Sequence, residues 1–384
     1  MGTITIGDSC EVLNGYAFKS EKYTSSGIRV IRIANVQKGY IEDDSPVFYQ
    51  TDDVDLNKYM LRENDLLVSL TGNVGRTALL TKDMLPAALN QRVACLRLKT
   101  NKITRGFLFH LLNSDYFESK CIQSSQGVAQ KNLSTEWLKS YDLPLYSLSK
   151  QNEITKILDN VRNTIILKEQ EIQKYDELIK ARFIEMFGDL KSNEKDWDLK
   201  TFEEMSVLIT DGEHSTPKRT KEGIYLLSAR NVLNHSLQLK DVDYINRDEY
   251  LRIAKRVIPK KGDILISCSG TIGRCCSVPD SLQLQMVRSV ALIRFKEVIN
   301  PIFAEYMITS DYLQEQINSS KTMSSQANLF QGKIRKLKGF LPPTELQQQF
   351  ADFVHQVDKS REVVKKSLEK TQQLYDSLMQ EYFG

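Results

Sequence analysis

Residues 65–76 read DLLVSLTGNVGR and residues 263–274 read DILISCSGTIGR, so a strand-like run followed by a glycine-containing turn occurs twice in this chain. The two copies lie 198 residues apart here, and other short matches lie 196 apart. Those matches join residues 35–36 to 231–232, 114–116 to 310–312, 132–133 to 328–329, and 186–188 to 382–384. Small loop insertions explain the drift of the offset. The sequence therefore predicts two copies of one structural unit.

Length and composition restrict the class of protein. At 384 residues, the chain can form two or three domains with separate cores. The six cysteines form no C-x-x-C pattern, which is typical of reduced thiols in a cytosolic protein. The first residues do not resemble a signal peptide, and no apolar run approaches the ~20 residues that span a bilayer. We therefore expect a soluble, cytoplasmic protein that makes no membrane contact.

Charge is distributed unevenly, although the net charge is only +3. Residues 1–150 and 191–344 carry net charges of +2 and +5, whereas residues 151–190 and 345–384 each carry −2. Basic segments favour binding to a polyanion. An ordinary solvated surface is the alternative that charge alone leaves open.

Two stretches, residues 149–188 and 345–384, have the pattern of long amphipathic helices. Apolar residues recur at intervals of three, four or seven, and each stretch contains no Gly or Pro before its final glycine. Each helix would be roughly 55–60 Å long. A narrow apolar stripe on so long a helix indicates a helical partner, and the repeat supplies one. Because only a short polar linker precedes the second copy, we expect an antiparallel pair with one globular segment at each end, related by a pseudo-two-fold.

The two long segments, residues 1–148 and 189–344, are predicted to be mixed α/β domains. Strand-like runs occur at residues 28–33, 66–70, 93–98, 224–227, 264–267 and 290–295. One helix is predicted in each domain, at 107–119 and 302–318, and polar loops at 123–134 and 319–331. The expected fold class is thus α/β (α+β), with two similar domains joined by two long antiparallel coiled-coil helices.

Signatures of catalysis are missing from the sequence. It contains four histidines and no H-E-x-x-H, G-x-S-x-G, phosphate-binding P-loop or dinucleotide-binding glycine pattern. The Asn-Pro-Pro-aromatic tetrad of amino-methyltransferases is also missing. We therefore expect no catalysis by this chain alone, and no metal or cofactor held by it.

The repeated Ser-x-x-Gly-x-x-Gly-Arg turn has two interpretations. Its glycines suit a tight loop at positive φ, and Arg76 and Arg274 would then pair with nearby carboxylates. Alternatively, the backbone amides and the two arginines contact phosphates.

A polar, basic loop at residues 211–221 contains His214, Lys218, Arg219 and Lys221. It is either an exposed connector or a DNA-binding loop, since Lys and Arg bind phosphates while Asn, Gln, Arg and His read base edges. His214 is predicted to be a hydrogen-bonding residue rather than a metal ligand. The counterpart in the first copy, residues 15–20, differs in sequence, which suggests a shared scaffold with two different targets.

The order of these features resembles the DNA specificity subunits of type I restriction–modification systems, and the resemblance covers nearly the whole chain. It is carried by Gly15-x-Ala17-Phe18-Lys19-Ser20 with Ile31-Arg32-Ile33-x-Asn35-Val36, by Asp211-Gly212-x-His214-x-Thr216-Pro217 with Asn231-Val232, by both glycine turns, by the Leu-Pro breaks before the long helices, and by the Phe-Gly ends. Residues 15–20 lack the Asp-Gly-x-His-x-Thr-Pro pattern, and residues 211–221 lack Ala-Phe-Lys-Ser.

The resemblance implies that residues 1–148 and 189–344 are two target recognition domains, and that residues 149–188 and 345–384 are conserved spacer helices. The implied partners are double-stranded DNA, methyltransferase (modification) subunits and, through them, restriction/translocase subunits. S-adenosylmethionine, ATP and Mg would then belong to those partner subunits.

Basic and polar residues near the predicted loops are the candidate DNA contacts: Lys19, Arg32, Asn35, Arg76, Arg92, His214, Lys218, Arg219, Lys221, Arg230, Asn231, Arg274 and Arg288. Two alternatives remain. One is a coiled-coil adaptor whose globular ends bind proteins, and the other is the DNA-recognition fragment of a single-chain restriction–modification enzyme.

Overall fold

A computed structural model describes residues 2–50, 55–125, 132–280, 282–319 and 328–384. The chain divides into two compact units. Unit 1 consists of residues 1–169 and 366–384, and unit 2 consists of residues 170–365. Each unit therefore contains part of both long helices.

Among its described residues, unit 1 contains three small sheets and four short helices beside the long ones. Its strands are β1 (Gly2–Thr5), β2 (Cys10–Asn14), β3 (Ile28–Ile31), β4 (Phe48–Tyr49), β5 (Leu66–Ser69), β6 (Thr77–Leu79), β7 (Ala87–Leu89), β8 (Val93–Leu98) and β9 (Asp142–Leu145). Its helices are α1 (Ile6–Ser9), α2 (Arg105–Leu112), α3 (Asp115–Ser124), α4 (Thr135–Ser140) and the first part of α5 (Leu148–Phe187). The sheet orders are β2-β8-β5-β6, β4-β3-β7 and β1-β9. Only the β3–β7 pair is parallel among the described strand pairs of this unit.

Unit 2 repeats this plan and, where the structure describes both units, has three additional short strands. Its strands are β10 (Asp198–Thr201), β11 (Ser206–Asp211), β12 (Arg219–Thr220), β13 (Ile224–Leu227), β14 (Val232–Leu233), β15 (Ser236–Leu237), β16 (Asp243–Ile245), β17 (Ile264–Ser267), β18 (Cys275–Ser277), β19 (Leu284–Met286), β20 (Val290–Phe295) and β21 (Lys338–Leu341). Its helices are α6 (Phe202–Met205), α7 (Arg247–Ala254), α8 (Pro301–Thr309), α9 (Asp311–Ser319), α10 (Gln331–Lys336) and, shared with unit 1, α11 (Thr344–Phe383). The order β11-β20-β17-β18 matches β2-β8-β5-β6 of unit 1, and β12-β16-β13-β19 matches β4-β3-β7 with β12 added at its edge. Among the described strand pairs of this unit, β13–β19 is again parallel.

The long helices run antiparallel where they pack against each other. In unit 2, Asp176 of α5 accepts a hydrogen bond from Arg361 of α11, and Phe187 of α5 packs on Phe350 of α11 with ring centroids 5.6 Å apart. Residue numbers thus rise along one helix as they fall along the other. In unit 1, Lys168 of α5 donates to Ser367 of α11 at 2.8 Å. The predicted antiparallel pair is confirmed.

Aromatic side chains from the long helices complete the core of each unit. Phe383, near the end of α11, packs on Phe107 of α2 in unit 1, with ring centroids 5.4 Å apart. Phe187, at the end of α5, packs on Phe303 of α8 in unit 2 at 4.8 Å. Phe107, Phe187 and Phe303 are fully buried, and each contributes about 1.5–3 kcal/mol of hydrophobic stabilisation. The phenylalanines of the two Phe-Gly ends, Phe187 and Phe383, are therefore core residues.

Some boundaries predicted from sequence were wrong. Each of the two helices predicted in the globular segments is two helices, which are divided at Asn113–Ser114 and at Ser310. The Ser114 hydroxyl accepts the Phe117 amide and so caps α3. The strand predicted at 28–33 ends at Ile31, where a 3₁₀ turn, Ile33–Asn35, follows Arg32. Most of the two predicted loops, residues 126–131 and 320–327, lies outside the described residues. The edges of these loops belong to α3, α9 and α10.

All six cysteines are free and buried, as predicted for reduced thiols. Burial raises the pKa of the Cys10 thiol to about 11 and that of Cys121 to about 12, so both remain protonated at neutral pH. Within the described ranges, no helix is long and apolar enough to cross a bilayer.

Candidate nucleic-acid interface

Both glycine turns are structural elements of the sheet. Gly72 and Gly270 have φ values of 68° and 69°, and the second glycine of each turn also has positive φ, which favours residues without a side chain. The Ser69 hydroxyl donates to the Asn73 carbonyl and accepts the Arg76 amide at 3.0 Å. Ser267 makes the same two bonds, with Thr271 and Arg274. The repeated serine and glycines therefore close a turn between neighbouring strands.

The arginines of these turns differ in their contacts. The Arg76 guanidinium donates to the side-chain oxygen of Gln37, so it does not pair with a carboxylate as the structural interpretation expected. Arg274 has no side-chain partner among the described residues and is half-buried. Neither turn shows a contact that identifies a ligand, so their suggested contact with phosphates stays a prediction.

The side chains of Asn35 and Asn231 stabilise equivalent turns by hydrogen bonds to the backbone. Asn35 accepts the Arg32 amide at 2.9 Å and donates to the Glu42 carbonyl at 2.8 Å. Asn231 accepts the Ser228 amide at 2.9 Å and donates to two carbonyl oxygens. Both side chains are buried, at 4% and 0% exposure. Their amides are engaged inside the protein, so contact of either residue with DNA, which stays a prediction, would require these bonds to break.

A glycine marks the start of the variable tip in both units. We call residues 15–20 tip 1 and residues 211–221 tip 2. A Cβ atom on Gly15 would lie 2.2 Å from the Asn90 carbonyl oxygen, and one on Gly212 would lie 2.4 Å from the Met286 carbonyl oxygen. The amides that follow the two glycines bond to Leu89 and Met286 at 2.8 Å. At Gly15 and Gly212 the chain thus passes so close to another backbone segment that a side chain would not fit, and only glycine permits this approach.

Tip 2 is held on α7 and the residues after it by ion pairs. His214 Nε2 lies 2.7 Å from an Asp211 carboxylate oxygen, and the other oxygen accepts from Arg256. Arg252 pairs with Glu249 at 2.9 Å and with Glu213 at 3.4 Å. This network fixes the loop against the globular unit.

Hydrogen bonds and charge set the protonation of the tip 2 carboxylates. A hydrogen bond from the Ser215 hydroxyl lowers the pKa of Glu213, and the positive charge of Arg252 acts in the same direction. Arg252 lowers the pKa of Glu249, chiefly by hydrogen bonding. Both carboxylates are therefore ionised at neutral pH, which preserves the network.

The predicted basic residues of unit 2 divide into paired and unpaired side chains. Arg219 pairs with Asp243 at 2.9 Å, and Arg230 lies 3.5 Å from the same carboxylate. The exposed side chains of Lys218 and Lys221, by contrast, form no ion pair or hydrogen bond within the part of the chain that the structure describes, although the charge of Lys218 lowers the pKa of Glu249. Free ammonium groups on an exposed loop suit phosphate binding.

A cleft of about 710 Å³ opens beside tip 2. His214, Arg219 and Arg288 line it, and Arg288 is exposed and has no partner among the described side chains. Ser269 and Phe330 also line it. The structure thus brings together three of the predicted residues, His214, Arg219 and Arg288.

Sequence reasoning missed three residues at this cleft and its wall: Arg252, Arg256 and Phe330. The two arginines pair with acidic residues about 40 positions away, so no local pattern identifies them. A comparison of the two copies could have found Phe330, because Ser134 stands at the equivalent position in unit 1.

Tip 1 is aromatic where tip 2 is charged. Tyr16 packs on Phe18 and Tyr59 with ring centroids 5.0 and 5.3 Å apart, and Phe18 packs on Tyr49 at 5.0 Å. The predicted site residue Lys19 follows this cluster and is exposed.

Two other predicted residues of unit 1 lie near these elements. The exposed residue Arg92 follows Gln91, whose amide donates to the Tyr16 carbonyl at 2.9 Å. Arg32 donates to the Ser45 carbonyl at 2.9 Å, and its guanidinium lies 6.0 Å from the Tyr23 ring centroid.

No group of three or more His, Cys, Asp and Glu side chains is placed to hold a metal ion in the described parts of the chain. His214 is bonded to a carboxylate and lies 3.5 Å from Arg256, which is a hydrogen-bonding environment.

The chain thus has two similar α/β units. In each unit a glycine passes close to a neighbouring strand, and a tip follows that is aromatic in unit 1 and basic in unit 2. The sequence model described as the type I restriction modification DNA specificity domain matches residues 1–175 and 194–373. The chain belongs to this family, and the resemblance read from the sequence is confirmed.

Individual relatives agree with this assignment. The chain is 24% identical over 414 residues to the type I restriction enzyme EcoBI specificity subunit of Escherichia coli, covering 99% of this chain and 85% of that protein. It is 34% identical over 164 residues to the type I restriction enzyme EcoAI specificity subunit of Escherichia coli, covering 41% and 28%.

Solved structures show the same fold. The S subunit of the type I restriction–modification system of M. genitalium is 15% identical, with a TM-score of 0.57 and coverage of 100% of this chain and 96% of that one. A chain from a structure concerned with complex assembly and conformational transition of the type I R-M system is also 15% identical, with a TM-score of 0.59 and coverage of 100% and 97%. The predicted fold class is confirmed.

Proposed function

We propose that this chain is the non-catalytic, DNA-reading subunit of a cytoplasmic type I restriction–modification complex. Residues 1–148 and 189–344 would act as two target recognition domains that read the two halves of a bipartite site. Residues 149–188 and 345–384 would act as spacer helices that dock methyltransferase subunits, which in turn bind the restriction/translocase subunits. S-adenosylmethionine, ATP and Mg would act on those partner subunits.

One observation carries the proposal: the same scaffold occurs twice, and the tips that leave it at Gly15 and Gly212 differ completely. A duplicated scaffold with different tips suits a target whose halves differ in sequence. In unit 2, the exposed Lys218, Lys221 and Arg288 supply the positive charge that DNA backbones require.

In unit 1, the corresponding interface would combine Lys19 and Arg92 with the ring of Tyr16. Arg32, Arg76, Arg230 and Arg274 remain proposed contacts, and the first three would have to exchange an internal bond for a phosphate.

Salt dependence of binding tests the basic tip. Replacing Lys218, Arg219 and Lys221 together by Gln removes up to three phosphate contacts, each of which contributes about −0.9 to the slope of log affinity against log salt. We expect affinity for target DNA to fall by about 10-fold or more at 0.1 M salt, and the slope to become shallower by up to ~2.7. Fluorescence anisotropy with a duplex selected by the wild-type protein measures both quantities.

A matched control removes the same charge from the other end of the sheet. Lys296 follows β20 where it pairs with the start of β11, far along the strands from Asp211, and Lys200 and Lys338 lie on the neighbouring β10–β21 pair. The variant K200Q/K296Q/K338Q should bind DNA like the wild type. Equal losses in both triple variants would show that only overall charge matters, and an unchanged tip 2 variant would refute the assignment.

Helix length tests the spacer proposal. Deleting residues 166–172 and 362–368, which include the bonded pair Lys168 and Ser367, removes two turns, ~10 Å, from matched positions of α5 and α11. The bases recognised in each half should stay the same, whereas the spacing between the halves should shorten by at most about three base pairs of ~3.4 Å each. Selection from randomised duplexes with the purified methyltransferase complex measures both. A deletion variant that folds and selects the original spacing would disprove the spacer.

A further inference from the structure

The first turn of α10 departs from its counterpart in unit 1. In α4, the Ser134 hydroxyl caps the helix by accepting the amides of Glu136 and Trp137 at 3.1 and 3.3 Å. Phe330 occupies the equivalent position before α10 with the same extended backbone, φ −79° and ψ 149°, and makes no side-chain cap. A serine here would satisfy amides that phenylalanine cannot bond. Unit 2 therefore gives up a helix cap at this position.

Packing does not explain the phenylalanine. Its side chain is 57% exposed, whereas the neighbouring Leu329 and Ile334 are 2% and 0% exposed. Transferring a phenyl ring from water to an apolar contact is favourable, and this ring forgoes most of that gain in the free protein. The ring thus neither caps the helix nor fills the core, and it is free to contact a partner outside the chain.

The surroundings of the ring indicate DNA as the contact. Phe330 lines the tip 2 cleft together with His214 and Arg288, whose side chains present hydrogen-bond donors of the kind that read base edges. An exposed aromatic ring beside basic side chains can contact a thymine methyl group or stack on a base, and either contact depends on base identity or on local stacking.

We propose that Phe330 makes a non-polar contact with a base in the half-site that unit 2 reads, and that this contact sets base preference at one base pair. The proposal rests on the DNA-reading function proposed above. It assigns to unit 2 a specificity-determining residue that unit 1 lacks, because Ser134 cannot make this contact.

The decisive variant is F330S, which installs the residue of unit 1. It should raise the midpoint of thermal unfolding of unit 2 by about 2–4 °C, because it restores the cap. The same change should weaken binding to the selected target by about 5- to 100-fold, because the base contact is lost. Opposite signs for stability and affinity cannot arise from a purely structural defect.

Two further variants separate the effects of ring and cap. F330A removes the ring without adding a cap, so it should lose affinity as F330S does while its unfolding midpoint changes little. F330L keeps an apolar side chain and should lie between F330A and the wild type in affinity. None of the three changes charge, so the salt slope should stay that of the wild type.

Base preference is read by selecting randomised duplexes with the wild-type and F330S chains. We expect preference to relax at one base pair of the unit 2 half-site and to persist elsewhere. If the wild type selects a sequence and F330S selects the same sequence with equal affinity, the Phe330 proposal is wrong while the DNA-reading function stands. If the wild type selects nothing, both fail. Loss of methyltransferase binding with unchanged DNA selection would assign the ring to a protein partner and also overturn the proposal.

Discussion

Tip 1 and tip 2 leave equivalent strand ends through equivalent glycines, yet they are stabilised by opposite kinds of chemistry. Tip 1 is held by packed aromatic rings around Tyr16 and Phe18. Tip 2 is held by ion pairs that join Asp211 and Glu213 to Arg252 and Arg256. The comparison shows that the scaffold determines where a tip starts but does not determine its amino-acid composition. A protein that uses two copies of one scaffold to recognise two different DNA sequences requires this combination.

Each unit has its own optical reporter for such comparisons. The chain has two tryptophans. Trp137 lies in α4 and packs on the core of unit 1, and Trp197 packs on the core of unit 2, where it donates to the Phe187 carbonyl at 2.9 Å. Single-tryptophan variants, W197F for unit 1 and W137F for unit 2, therefore let urea unfolding of the two units be followed separately in the full chain.

The largest effect is expected where the two units are most alike. Replacing Gly15 or Gly212 by Ala places a methyl group 2.2–2.4 Å from backbone atoms that belong to a neighbouring strand. Because backbone cannot move aside as a flexible side chain does, each change should destabilise its own unit by about 3 kcal/mol. The unit-specific tryptophan reports the loss during urea unfolding.

A matched glycine serves as the control for both. Gly332 in α10 has open space around the position of a Cβ atom, so G332A should be neutral or slightly stabilising. If G212A were as stable as G332A, the close approach at Gly212 would not require glycine. The equivalent glycines would then not explain why both tips start at equivalent positions.

A smaller effect is expected at the one helix start where the units differ. S134A removes the cap of α4 and should cost unit 1 about 1 kcal/mol, whereas F330A removes no cap from α10. Urea unfolding followed through Trp137 and Trp197 measures the two. Equal losses would mean that Phe330 stabilises α10 in some other way, and the contrast between the two helices would disappear.

Much of the scaffold could be predicted because its signals are local and repeated. The apolar runs became β5 and β17 with nearly the predicted bounds, and the heptad-like spacing located α5 and α11 to within one residue at each end. The first strand of each main sheet, β2 and β11, was missed, because these edge strands alternate weakly and gain their stability from pairing with β8 and β20.

The candidate site was less predictable than the fold. Asn35 and Asn231 have the residue type of a base reader, but they are buried turn residues whose partners lie seven to ten positions away. Arg252 and Arg256 come to tip 2 only through the tertiary fold. Sequence can indicate which loops are basic, whereas the structure decides which of their charges are already paired.

The smallest effect concerns acidity, and it should be confined to tip 2. Glu213 and Glu249 have pKa values below their ordinary value of 4.5, so their ionised forms stabilise the folded tip. That stabilisation is complete above about pH 4.5 and is lost as the pH falls through the lowered values. Hydrogen-exchange protection of residues 213–220 should therefore fall as the pH drops below about 4.5, while that of residues 15–20, for which the structure describes no such network, should not.

The variant E213Q distinguishes the local effect of protonating Glu213 from destabilisation of the whole chain by acid. It removes the charge that Arg252 and Ser215 contact, so protection of tip 2 should already be low at pH 6 and should change less on acidification. Because exposed ion pairs contribute only about 0–1 kcal/mol each, the change is expected in local exchange rather than in global unfolding. A fall in protection of equal size at both tips would show that acid loosens the whole chain, and the ion pairs would then not be what distinguishes tip 2.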